Sequence, residues 1–103
     1  MYKLEYLPIA QQDMIEIARY ISQELHNPVS AEKLAEEMID SAEKLKDFPY
    51  ANALYIPIKP LKHEYRKLFV KNFIMFYWIN ERKKLITIVR VIYNRRDSSK
   101  MLT

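Results

Sequence analysis

The chain has 103 residues, half of them hydrophobic, a formal net charge of +4 and no cysteine. That length suits one domain with a modest core, and the hydrophobic share argues against disorder. Without thiols there is no disulfide framework or thiolate metal site, no stretch is long and apolar enough for a membrane span, and His26 and His63 lie too far apart for a zinc pair.

The absence of cysteine makes a reducing cytoplasm the expected setting, and residues 1–7, which already alternate like a strand, are not expected to be a signal peptide. Charge is uneven along the chain. Residues 1–47 carry five bases against ten acids, a net −5, and residues 48–103 carry twelve against three, a net +9. The two halves can neutralise each other. Because the bases recur near strand ends and loops, a basic surface suited to phosphates or an acidic partner is the favoured reading.

Tyr2–Leu7 alternates like a short strand, and Pro8 suits the first turn of a helix. Ala10, Met14, Ile17, Ala18, Ile21 and Leu25 recur at helical spacing, so residues 8–25 read as an amphipathic helix. Asn27 is a plausible N-cap and Pro28 the first residue of a second helix, Val29 to about Lys46, burying Ala31, Leu34, Ala35, Met38, Ala42 and Leu45. Phe48-Pro49 closes the helical half.

The segment from Tyr50 to Glu64 has no clear period and reads as a long irregular connection, a kind of loop often functional. It carries Lys59, Lys62 and His63, either as a solvated basic loop or as a phosphate-facing rim. Tyr65–Val70 and Phe73–Asn80 read as a hairpin across Lys71-Asn72, with Asn72 taking the positive φ of the turn. Leu85–Ile92 is a β-branched run typical of an inner strand. Period-two alternation puts Arg90 on the face of Ile86, Ile88 and Ile92, where it needs a carboxylate such as Glu64 or Asp97, or a cationic concavity opposite the helices. The whole reads as one α+β domain: an N-terminal strand, an α-helical hairpin, then a three-stranded antiparallel meander, helices on one sheet face.

Several stretches, in order, carry a family likeness: Leu7-Pro8, Ile17–Ile21, Asn27-Pro28, Leu45–Pro49, Tyr65–Lys67, Asn72–Tyr77 and Val89–Asp97. As an ordered set covering nearly the whole chain, they resemble the RelE/ParE toxin superfamily of bacterial toxin–antitoxin modules, and its ParE-like, plasmid-stabilisation branch in particular. The resemblance implies a growth-arresting toxin held inactive by an acidic, partly disordered antitoxin; nothing in the chain itself requires a cofactor or a metal. It leaves two targets open: DNA gyrase, inhibited by binding, or mRNA on the ribosome, cleaved by an interferase.

RNA cleavage needs a base, a donor to the leaving oxygen and cations on the phosphate. His63, Lys59 or Lys62 could be the base, Arg66 and Arg90 the charge and Tyr93 the donor; Arg95 and Arg96 would join them in binding a target. Each has a structural alternative: Arg66 a cross-sheet pair, Arg90 an ion pair, Tyr93 an edge of the core. The chain departs from the family in two ways. Tyr93-Asn94 stands where relatives often have a histidine, so the strand end lacks an acid–base group suited to neutral pH and His63 is the one natural candidate for that role. Asn94 and Lys71-Asn72 stand where relatives commonly have glycine. The thin catalytic inventory favours the gyrase reading, with an inactive, antitoxin-binding relative as a third. The tail, Ser98–Thr103, is expected to fray.

Overall fold

The structure, a computed structural model, describes residues 1–94. β1 (Lys3–Tyr6) leads into α1 (Pro8–Arg19), which opens on Pro8 and continues as a π-helical turn, Tyr20–Glu24. The wider turn closes with Leu25 N–H on the Tyr20 carbonyl at 3.2 Å. It adds a residue to the helical period and so rotates the next side chains off the apolar stripe. Leu25, expected in the core, is accordingly exposed. His26, at φ 52°, then reverses the chain. Asn27 caps α2 (Pro28–Lys44), its Oδ1 accepting from Ser30 N–H at 3.1 Å as its place before Pro28 suggests.

β2 (Arg66–Val70), β3 (Phe73–Asn80) and β4 (Leu85–Tyr93) form the expected antiparallel meander. The sheet order is β1-β4-β3-β2, and β1 pairs in parallel with β4 from Lys3 opposite Leu85 to Tyr6 opposite Ile88. The sheet is therefore mixed, with β4 the inner strand that its β-branched run suggests. One core joins the sheet's covered face to the helices: Ala10, Leu34, Met38, Ala42 and Leu45 meet Leu68, Met75, Tyr77, Ile86, Ile88 and Val91.

Two local expectations change. The positive φ of the β2–β3 turn falls on Lys71 (53°), not Asn72, and a second falls on Lys84 (52°) before β4. More consequentially, β4 is bulged. Phe76 faces Arg90 while Tyr77 faces Ile88, which leaves Val89 unmatched. An extra residue inverts the alternation beyond it. Ile86, Ile88 and Val91 all point into the core, and Arg90 stands on the opposite face with Ile92, not with Ile86 and Ile88.

The connection from 50 to 65 is irregular, as expected, but it is tied down. Tyr55 N–H bonds the Tyr65 carbonyl at 2.8 Å and Lys67 N–H the Ala53 carbonyl at 2.9 Å, shielding the outer edge of β2. Tyr77 anchors the start of this loop: its buried hydroxyl donates to the Pro49 carbonyl at 2.8 Å and accepts from Asn52 Nδ2 at 3.2 Å. Burial raises its pKa, keeping it a donor.

Candidate functional site

Past Ile88, β4 loses its neighbour on the β1 side, because the chain turns there into α1. Leu7 N–H on the Ile88 carbonyl, at 2.9 Å, closes the rung at that point. Asp13 of α1 then reaches the open edge. One carboxylate oxygen accepts from Val91 N–H at 2.9 Å and from Arg90 Nε at 2.7 Å, and the other accepts from Arg90 Nη2 at 3.1 Å. Asp13 is 11% exposed in its side chain and Arg90 is 48% exposed. Arg90 is thus paired without being enclosed, and the hydrogen-bonded carboxylate raises its pKa further. Of the two expected partners, Glu64 lies at another cleft, and Asp97 is outside the described residues.

Two hollows meet at Arg90. A groove of about 780 Å³ runs between α1, the π-helical turn and the far half of β4, with Ile17, Tyr20, Ile21 and Leu25 on one wall and Phe73, Ile92 and Tyr93 on the other. The second, about 490 Å³, lies on the helix-free sheet face among Leu7, Ile9, Tyr55, Leu61, Phe76 and Ile92. The cationic concavity expected opposite the helices is therefore an apolar hollow with Arg90 at its edge. Tyr55 meets Phe76 edge-on at 5.2 Å, so the loop supplies part of this surface.

A third cleft, about 310 Å³, gathers Lys62, His63 and Arg66 with Tyr50, Glu64 and Trp78. His63 lies flat on Trp78, ring centroids 3.6 Å apart. Arg66 donates to the Asn52 carbonyl at 2.7 Å and sits over the Tyr50 ring at 5.0 Å. The structure thus groups His63 with Arg66 and Arg90 with Tyr93, each pair at a different hollow. Lys59 is exposed and lines none of the three. Arg95 and Arg96 lie outside the described residues, as does Ser98–Thr103.

Beside this cleft Glu81 ties three segments together. It accepts from Tyr2 Oη at 2.8 Å and Tyr50 Oη at 2.5 Å, and pairs with Lys84. Lys84 first, then the two hydroxyls, pull its pKa down to about 2, and the same carboxylate pushes Tyr50 up to about 12. Among the described residues no cluster of histidine and carboxylate side chains is arranged to hold a metal, and no helix is long and apolar enough to cross a membrane.

The family model described as the ParE toxin of the type II toxin–antitoxin system, parDE, matches residues 4–98. The chain belongs to the ParE toxin family. No curated protein matches it by sequence. Among solved structures, it is similar to a chain of the chromosomal ParDE system from P. aeruginosa, at 20% identity and TM-score 0.72, over 90% of this chain and 96% of that one. It is also similar to a chain of the RelBE2 toxin–antitoxin complex from Mycobacterium tuberculosis, at 16% identity and TM-score 0.62, over 89% and 96%. A chain of the archaeal RelE–RelB complex from Pyrococcus horikoshii OT3 is similar at 10% identity and TM-score 0.62, over 92% and 97%.

Within this ParE-family chain, sequence reasoning passed over Asp13 and Trp78. Asp13 did leave a signal: it falls three residues after Ala10 and four before Ile17, on the flank of an apolar stripe where an acid needs a partner. Trp78 left none, because its neighbour His63 arrives from a loop without periodicity.

Proposed function

We propose that this toxin arrests growth by binding DNA gyrase, and that a cognate antitoxin with an acidic, partly disordered segment holds it inactive. The observation carrying this reading is the helix-free face: an apolar hollow with half-exposed Arg90 at its margin and Lys67, the cross-strand partner of Phe76, on the same side. Apolar surface with a cationic rim suits a protein partner, and the charge steers an acidic one. The placement of His63 supports binding over cleavage, since a general base must reach the proton it removes. Here the imidazole is stacked on Trp78, in a different hollow from Arg90 and Tyr93.

Purified toxin is to be tested in a gyrase supercoiling assay and in ribosome-coupled mRNA cleavage. Supercoiling should fail while the mRNA stays intact, and Ile92→Asp, which places a charge on the open face, should weaken inhibition about tenfold or more. Cleaved mRNA with unaffected supercoiling would overturn the gyrase reading in favour of an interferase. Co-expression with the small acidic protein of an adjacent reading frame should restore growth.

A further inference from the structure

β3 extends beyond β2. Because β2 begins at Arg66, opposite Tyr77, the stretch from Trp78 to Asn80 has no strand partner on that side. The third cleft opens at this gap. In it the imidazole of His63 and the indole of Trp78 are 3° from parallel at 3.6 Å, and Tyr65 meets the His63 edge at 6.1 Å. Flat rings held parallel at van der Waals distance form the platform on which a base stacks, and every base has a π-face to offer.

The cations are placed to complement such a ligand. Arg66 is fixed by the Asn52 carbonyl and the Tyr50 ring, and makes no other side-chain hydrogen bond among the described residues. Lys62 adds a second positive charge, and Glu64, exposed, is the one acid in the lining. At about 310 Å³ the cleft has room for one nucleotide and not for a helix.

We propose that this cleft binds one unstacked nucleotide of a single-stranded nucleic acid, its base on the outer face of His63 and its phosphate against Lys62 and Arg66. An acidic peptide without aromatic residues could use the cations but has no ring for the platform. The site is separate from the Arg90 hollows, involves no cleavage and stands whether or not gyrase is the target.

Trp78 is the single tryptophan of the chain, so its emission reports on the cleft directly. The test titrates the full chain at about pH 8 with single-stranded DNA and RNA hexamers, an abasic hexamer and a hexaglutamate. The base-bearing strands should change Trp78 emission saturably and bind about tenfold or more tightly than the other two; the tighter of DNA and RNA names the source. His63→Ser should lower affinity for them about tenfold, to the abasic level, while His63→Phe retains it. Lys62→Ala should reduce the slope of log affinity against log salt by about 0.7. Thermal midpoints of every variant accompany the titrations, and His63→Phe with Lys62→Ala suffice if His63→Ser does not fold. Equal binding of the abasic strand, preference for hexaglutamate, an unchanged or raised affinity in His63→Ser, or silent Trp78 emission would each overturn the proposal.

Discussion

Asp13 grips Arg90 through both carboxylate oxygens while also taking the amide of the next residue, so a single side chain from α1 closes a strand edge and orients the cation beside it. Removing the acid leaves a half-buried N–H without an acceptor, whereas removing the base leaves Asp13 its backbone partner. Asp13→Ala should therefore destabilise by about 1–3 kcal/mol, and Arg90→Ala, half exposed, by about 1 kcal/mol or less. Asp13→Asn should fall between, since its carbonyl still serves Val91. Urea unfolding gives the order; a larger loss in Arg90→Ala would contradict it.

Glu81 makes stability depend on acid. A carboxylate whose folded pKa lies below its unfolded value contributes fully above the unfolded value and loses that contribution as pH falls toward the folded one. With Glu81 held at about 2, thermal midpoints should decline as pH drops from about 5 to about 2. Glu81→Gln keeps an acceptor for Tyr2 and Tyr50 but does not titrate, so its midpoint should decline less over that window. Parallel pH profiles for the two proteins would assign the acid sensitivity elsewhere.

Tyr77 links the sheet to the start of the loop that carries Tyr55 and His63. Tyr77→Phe removes the buried hydroxyl and leaves the Pro49 carbonyl and the Asn52 amide short of a partner. The expected cost is about 1–2 kcal/mol. Hydrogen exchange should show the amides of Tyr55 and Lys67, which pin the loop to β2, losing protection more than those of β4. Uniform loss across the sheet would mean that the hydroxyl supports the whole fold and not this loop.

Among the described residues, three bulky ones, His26, Lys71 and Lys84, take the left-handed backbone in a chain without glycine. Left-handed geometry costs an L-residue with a Cβ about 1–2 kcal/mol, partly offset for glycine by unfolded-state entropy. His26→Gly should raise stability by about 0.5–1 kcal/mol. Lys84→Gly should gain less, because it also removes the Glu81 pairing. Equilibrium unfolding of both variants checks the difference in gain.

Much of the fold was legible because its signals are local. Pro8 and Asn27-Pro28 mark helix starts, the small and apolar residues of α2 fall on one side, and the β-branched run of β4 announces an inner strand. The π-helical turn was not legible: a one-residue change of period leaves the residue types as they were and shifts only the direction of Leu25. Of the candidate site, the sequence offered residue types but not their grouping. His63, Arg66, Arg90 and Tyr93 line hollows, yet the loop that brings His63 to Trp78 separates it from Arg90 and Tyr93.

The sequence alone determined the order of elements, the faces that become core and the basic character of the second half, because periodicity, caps and charge act between near neighbours. Tertiary structure decided the rest. Which way Arg90 points depends on an unmatched Val89, and what holds it depends on Asp13, 77 residues earlier in the chain. A bulge changes every side chain beyond it at the cost of one ladder position, and a pairing over that separation exists only once helix and strand have packed.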